Sequence, residues 1–142
     1  MIPVIPKKSI GNIKLGDEIE EVRSMFGNKY SNTVKDGSCI DHYDNVGFEV
    51  DYLNGQAAFI GVNSPKEAEF NGVNLSLARY SQIKEIFNNS QEKYGDDNSL
   101  TFMDLGITFY FEDDDEDPQP LQVAIFVDGY YANVMHTFEA ID

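Results

Sequence analysis

Val46-Gly47-Phe48-Glu49-Val50-Asp51-Tyr52-Leu53-Asn54-Gly55-Gln56-Ala57-Ala58-Phe59-Ile60 is the stretch from which the fold is read. Side chains on a strand point alternately to its two faces, so Phe48, Val50 and Tyr52 form a buried set while Glu49 and Asp51 face the other way. Asn54-Gly55 is a tight-hairpin signal, because both positions of such a turn need positive φ. Gln56 to Ile60 then returns as a second strand.

The same pattern recurs downstream. Leu105-Gly106-Ile107-Thr108-Phe109-Tyr110-Phe111 aligns with Val46 to Tyr52, and Gln122-Val123-Ala124-Ile125-Phe126 aligns with Gln56 to Ile60. Ile107, Phe109 and Phe111 form the second buried set, with Thr108 and Tyr110 opposite. Ser38 to Tyr43 and Ser99 to Met103 read as a further strand before each hairpin. Upstream, Val22, Met25 and Phe26 match Ile83, Ile86 and Phe87, and the i, i+3, i+4 spacing gives each copy one helix with an apolar stripe. Asp17, Glu18, Glu20 and Glu21 crowd the first helix start, where backbone N–H groups are unpaired, and Gly27 suits its end.

The expected fold class is therefore α+β, with two tandem units over residues 1–64 and 65–142. Each unit has one helix and a three-stranded antiparallel meander, and the two join in one continuous antiparallel sheet with both helices on one face. The other face is expected to stand open, with Glu49, Asp51, Thr108 and Tyr110 on it. Phe48, Phe59, Phe109, Phe111 and Phe126 are core by periodicity. Residues 130–142 read as a final helix or strand.

Charge limits the partners. The chain has 142 residues with 25 acidic and 10 basic side chains, and Lys93 is the last basic one. Residues 94–142 hold twelve Asp or Glu and no Lys or Arg. Such a field repels phosphates and anionic lipid and attracts cationic protein surfaces, so neither nucleic acid nor membrane is an expected direct partner. The single cysteine, Cys39, excludes an internal disulfide. No stretch has the apolar length of a signal h-region or a membrane span, and the chain is read as cytoplasmic.

Glu112-Asp113-Asp114-Asp115-Glu116-Asp117 occupies the second hairpin, where the first has only Leu53-Asn54-Gly55. Six consecutive carboxylates repel one another and must be solvated, which makes an exposed loop suited to docking Lys and Arg of a partner. The run lacks the alternating ligands and central glycine of a calcium loop, so no metal is expected. Asp41-His42-Tyr43-Asp44 is the one cluster with a potential general base, and an exposed strand histidine is its simpler reading. No paired metal ligands, phosphate loop or nucleophile motif is present, and neither an enzyme nor a cofactor is expected. The predicted partner-binding residues are Glu112, Asp113, Asp114, Asp115, Glu116 and Asp117 on the loop, and Tyr110, Glu49 and Asp51 on the open face. Tyr130 and Tyr131 are further contact candidates.

Gly11-Asn12-Ile13-Lys14-Leu15-Gly16 through Glu21-Val22-Arg23-Ser24-Met25-Phe26-Gly27 resembles the opening segment of small helix-plus-sheet modules. These occur in outer-membrane assembly lipoproteins and, as tandem pairs, in β-lactamase inhibitor proteins. The resemblance implies a scaffold that clamps another protein against a sheet face. By size, charge and compartment the chain also resembles the immunity proteins of bacterial contact-dependent toxin systems. That likeness implies a monomer that forms a heterodimer with a basic toxin domain, such as a nuclease. A general interaction or scaffold module is the alternative.

Overall fold

A computed structural model of the chain describes residues 1–96, 98–112 and 116–142. The centre of the molecule is an antiparallel sheet of eight strands in the order β10-β11-β12-β13-β7-β6-β5-β4. One half is the meander β4 (Ser31–Lys35), β5 (Ser38–Tyr43), β6 (Phe48–Leu53) and β7 (Gln56–Asn63). The other is β10 (Lys93–Gly95), β11 (Ser99–Phe102), β12 (Ile107–Phe111) and β13 (Pro120–Phe126). The halves meet along β7 and β13, where Ile60 pairs with Ile125 and Gln122 with Asn63. Asn54 and Gly55 take φ of 54° and 76°, the mirror-image turn that the Asn-Gly pair favours between twisted strands.

A second, five-stranded sheet has the order β3-β2-β1-β8-β9. It consists of β1 (Ile2–Ile5), β2 (Ser9–Ile10), β3 (Ile13–Lys14), β8 (Ala68–Phe70) and β9 (Val73–Asn74). Its link between the chain's two halves is the parallel pairing of β1 with β8, Ile2 opposite Ala68. The helices α1 (Ile19–Met25) and α2 (Tyr80–Ile86) are seven residues each, and a 3₁₀ turn spans Ala132–Thr137. None of them is long and apolar enough to cross a membrane.

This architecture corrects the expected fold class. The chain is mostly β, with 43% strand and 14% helix in two sheets of five and eight strands, and it is not built from two α+β units of one helix and a three-stranded meander. The physical reason lies in the strands that periodicity misses. β4 reads Ser-Asn-Thr-Val-Lys and is exposed throughout, so it pairs through its backbone without any apolar alternation. The strands of the second sheet are two to four residues long and interrupted by glycine and proline, which in sequence look like loop.

One core lies between the inner face of the large sheet and the layer made by both helices and the small sheet. Val50, Phe102, Phe109 and Ile125 meet Val22, Ile83 and Phe87 from the helices and Ile10, Ile13 and Leu75 from the other layer. Phe48, Phe109 and Phe111 belong here, as their periodicity requires. Phe59 and Phe126 do not. With Ala124 they form a separate cluster on the outer face, covered by Tyr130 and Tyr131. The outer face is thus partly roofed by the C-terminal segment and is not open throughout.

Candidate binding site on the outer face of the sheet

Two acidic side chains of the first meander end in opposite environments, and the contrast locates the site. Asp41, on the inner face of β5, has an exposure of 0%. Arg23 from α1 grips it with Nε to Oδ2 at 2.9 Å and Nη2 to Oδ1 at 3.0 Å. Asn32 Nδ2 donates at 2.7 Å, the Tyr43 hydroxyl at 2.9 Å and the Tyr52 hydroxyl at 3.1 Å. Burial acts to raise the Asp41 pKa, but these bonds, Arg23 foremost, outweigh it and hold the carboxyl below its usual range. Burial is also the main reason that the Tyr43 and Tyr52 hydroxyls lie well above the ordinary tyrosine value. The Arg23 guanidinium meanwhile stacks over Tyr30, 4.2 Å from the ring centre. Every group in this network is used, and together they fix α1 against β4, β5 and β6.

Asp51, one strand away on β6, is treated differently. It faces the outer side and is only 4% exposed. The Tyr130 hydroxyl donates to its Oδ2 at 2.5 Å. Its Oδ1 has no hydrogen-bond partner, and among the described residues it is the sole buried side-chain oxygen or nitrogen in that state. Leaving such an acceptor empty costs about 1–3 kcal/mol, more for a charged group.

A cleft of about 420 Å³ lies here, lined among others by Glu49, Asp51, Phe59, Tyr110, Gln122 and Tyr130. Gln122, paired with Asn63 across the strands, lays its side chain over Gly61, the next outward-facing position along β7. A Cβ there would fall 2.7 Å from Gln122 Nε2, which instead donates to Asn63 Oδ1 at 2.8 Å. The wall is aromatic. The Tyr130 ring stacks on Phe59 at 5.4 Å, Tyr131 meets Phe126 edge-on at 4.9 Å, and the Tyr110 and Tyr131 hydroxyls lie 3.1 Å apart. Burial, with help from Asp51, pushes the Tyr130 hydroxyl well above the ordinary tyrosine value; burial and Tyr110 do the same for Tyr131. Both stay neutral donors at physiological pH. Among the described residues, no Lys or Arg lines the cleft.

Of the residues predicted to bind a partner, the structure brings Glu49, Asp51 and Tyr110 together in this cleft. Tyr110 is 37% exposed and meets the expectation of an outward ring, whereas Asp51 is buried and not displayed on an open surface. Asp113, Asp114 and Asp115 fall outside the described residues. Glu112 and Glu116 are exposed. Asp117 instead holds the start of α2, its carboxylate accepting from the Ser81 backbone N–H at 2.9 Å and the Ser81 hydroxyl at 2.8 Å. Those bonds, the backbone one first, hold it below the usual carboxylate range. His42 and Asp41 point to opposite faces of β5 and do not form an acid–base pair. His42 faces outward, with Nδ1 3.4 Å from Glu49 Oε1 and Nε2 3.2 Å from Thr33 Oγ1.

Sequence reasoning missed Phe59 and Gln122 as parts of the site. The available signal was the unbroken apolar run Ala57 to Val62, which is buried along its length and marks a strand covered on both faces. Comparison with known proteins finds no match among protein-family models, curated proteins or solved structures, so nothing in it bears on the resemblance to inhibitor or immunity proteins.

Proposed function

We propose that this chain is an immunity-type inhibitor, which binds a cationic toxin domain such as a nuclease in the cytoplasm and blocks its active site or the approach of its substrate. One observation carries the reading: Glu49 and Asp51 stand with Tyr110 in an aromatic cleft on the outer sheet face, with no Lys or Arg among the described residues that line it. A nuclease must present a basic surface to phosphate, and that surface is complementary to this face. The acidic stretch from Glu112 adds attraction at long range, while the cleft supplies contact at short range. Tyrosine is among the residue types enriched in binding hot spots, and arginine on the partner is another.

The test is genetic and then biochemical. A reading frame beside this chain's gene that ends in a basic, growth-inhibiting domain is expected, and purified chain should suppress that domain's activity at equimolar amounts. Glu49→Lys should weaken the suppression. A neighbouring toxin domain that keeps full activity with excess chain present overturns the proposal.

A second reading rests on β4. It ends the large sheet with all five residues exposed, whereas β10 at the other end is covered by the bridge of Tyr94 to Ala140. An extended peptide can add to such an edge through backbone bonds. The two-residue turn Asp36-Gly37 leaves the N–H of Val34 on the open edge, so Val34→Pro would block that mode and leave toxin suppression by the outer face intact.

A further inference from the structure

We infer, on the footing that the outer face is a binding surface, that its cleft receives the guanidinium of an arginine supplied by the partner, with Asp51 Oδ1 as its acceptor. The need for a donor comes from Asp51 itself. Tyr130 satisfies Oδ2, and Oδ1 is left buried without a partner. Asp41 on the same sheet receives donors from four side chains, so among the described residues the empty acceptor is particular to Asp51. The donor is cationic because Glu49 lies two residues along the same strand face, about 7 Å away by strand rise. It brings a second carboxylate to the cleft.

Guanidinium is favoured over ammonium by shape and surroundings. It is planar and weakly hydrated, it spans two carboxylates with its five donors, and it stacks on aromatic faces such as those of Tyr110 and Tyr130. A lysine ammonium is compact and gives up more hydration on entering an aromatic cleft. The molecule contains the completed form of this arrangement on its other side. There Arg23 lies over Tyr30 while it donates twice to Asp41, with two further tyrosine hydroxyls on the carboxylate. The outer cleft has the carboxylate, the tyrosine donor and the rings of that arrangement, and a partner's arginine supplies the missing piece.

The test uses the full chain and small probes. Amide NMR spectra are recorded while N-acetyl-arginine amide, its neutral counterpart N-acetyl-citrulline amide, and N-acetyl-lysine amide are titrated in. The arginine probe should give saturable shifts at Ile40, Asp51, Phe59 and Gln122. Asp51→Asn should weaken its binding about tenfold or more, the scale of one charge-assisted hydrogen bond. Citrulline should not bind, and lysine should bind more weakly than arginine. The absence of saturable shifts around the cleft, unchanged affinity in Asp51→Asn, or equal binding of the lysine probe would overturn the assignment. Glu49→Gln, at a half-exposed position, provides the same readout if Asp51→Asn does not fold. The outcome is separable from the proposed function: suppression of a toxin domain with no arginine binding in the cleft removes only the anchor, and arginine binding without suppression removes only the inhibitor reading.

Discussion

Replacing Arg23 by methionine should destabilise the chain by about 3–5 kcal/mol at neutral pH, the usual penalty for removing one partner of a buried ion pair. The magnitude follows from the geometry. Methionine keeps most of the apolar stem but abandons Asp41, which is fully buried and cannot recover its hydration. Asn32, Tyr43 and Tyr52 still donate to the carboxylate, yet none carries a charge. For a chain of this length the loss corresponds to a melting temperature lower by roughly 10–15 °C. The pH dependence has a definite sign. In the native protein Asp41 is held below its ordinary pKa, so its contribution is present above about pH 3.9 and is lost as pH falls through the lower folded value. In Arg23→Met one of the groups that lower the Asp41 pKa is gone and burial still raises it, so the folded pKa rises and the stability gap between the two proteins narrows as pH falls. Urea unfolding followed by tyrosine fluorescence, usable because the chain has 8 Tyr and no Trp, measures both proteins across that range. A loss under about 1 kcal/mol at pH 7, or a difference independent of pH, refutes the reasoning.

Tyr130→Phe should cost about 1–3 kcal/mol, because it leaves the second Asp51 oxygen empty as well, and chemical denaturation would show it. Asp117→Ala should lower the melting temperature at neutral pH by removing the acceptor for the Ser81 N–H at the start of α2. Because Asp117 is held below its ordinary pKa, that difference should be full above about pH 4 and vanish as pH falls through the folded value; a difference that persists in acid would refute the cap.

The sequence by itself determined the two central hairpins. Alternation placed Phe48, Val50, Phe109 and Phe111 in the core, and Asn54-Gly55 specified its turn, because period-two patterning and positive-φ residues act locally. It also put Glu49 and Asp51 on the same strand face. The tertiary structure decided the rest. Whether β4 and β10 extend each meander depends on backbone pairing that their polar side chains do not announce. The second sheet depends on the parallel meeting of β1 with β8, whose residues lie more than sixty positions apart. Tyr130 reaches back across 79 positions to Asp51, and that return turns an exposed carboxylate into a buried one with a single oxygen empty. Alternation assigns a side chain to a face; what covers that face is settled only when distant segments pack, and here the covering segment made the site.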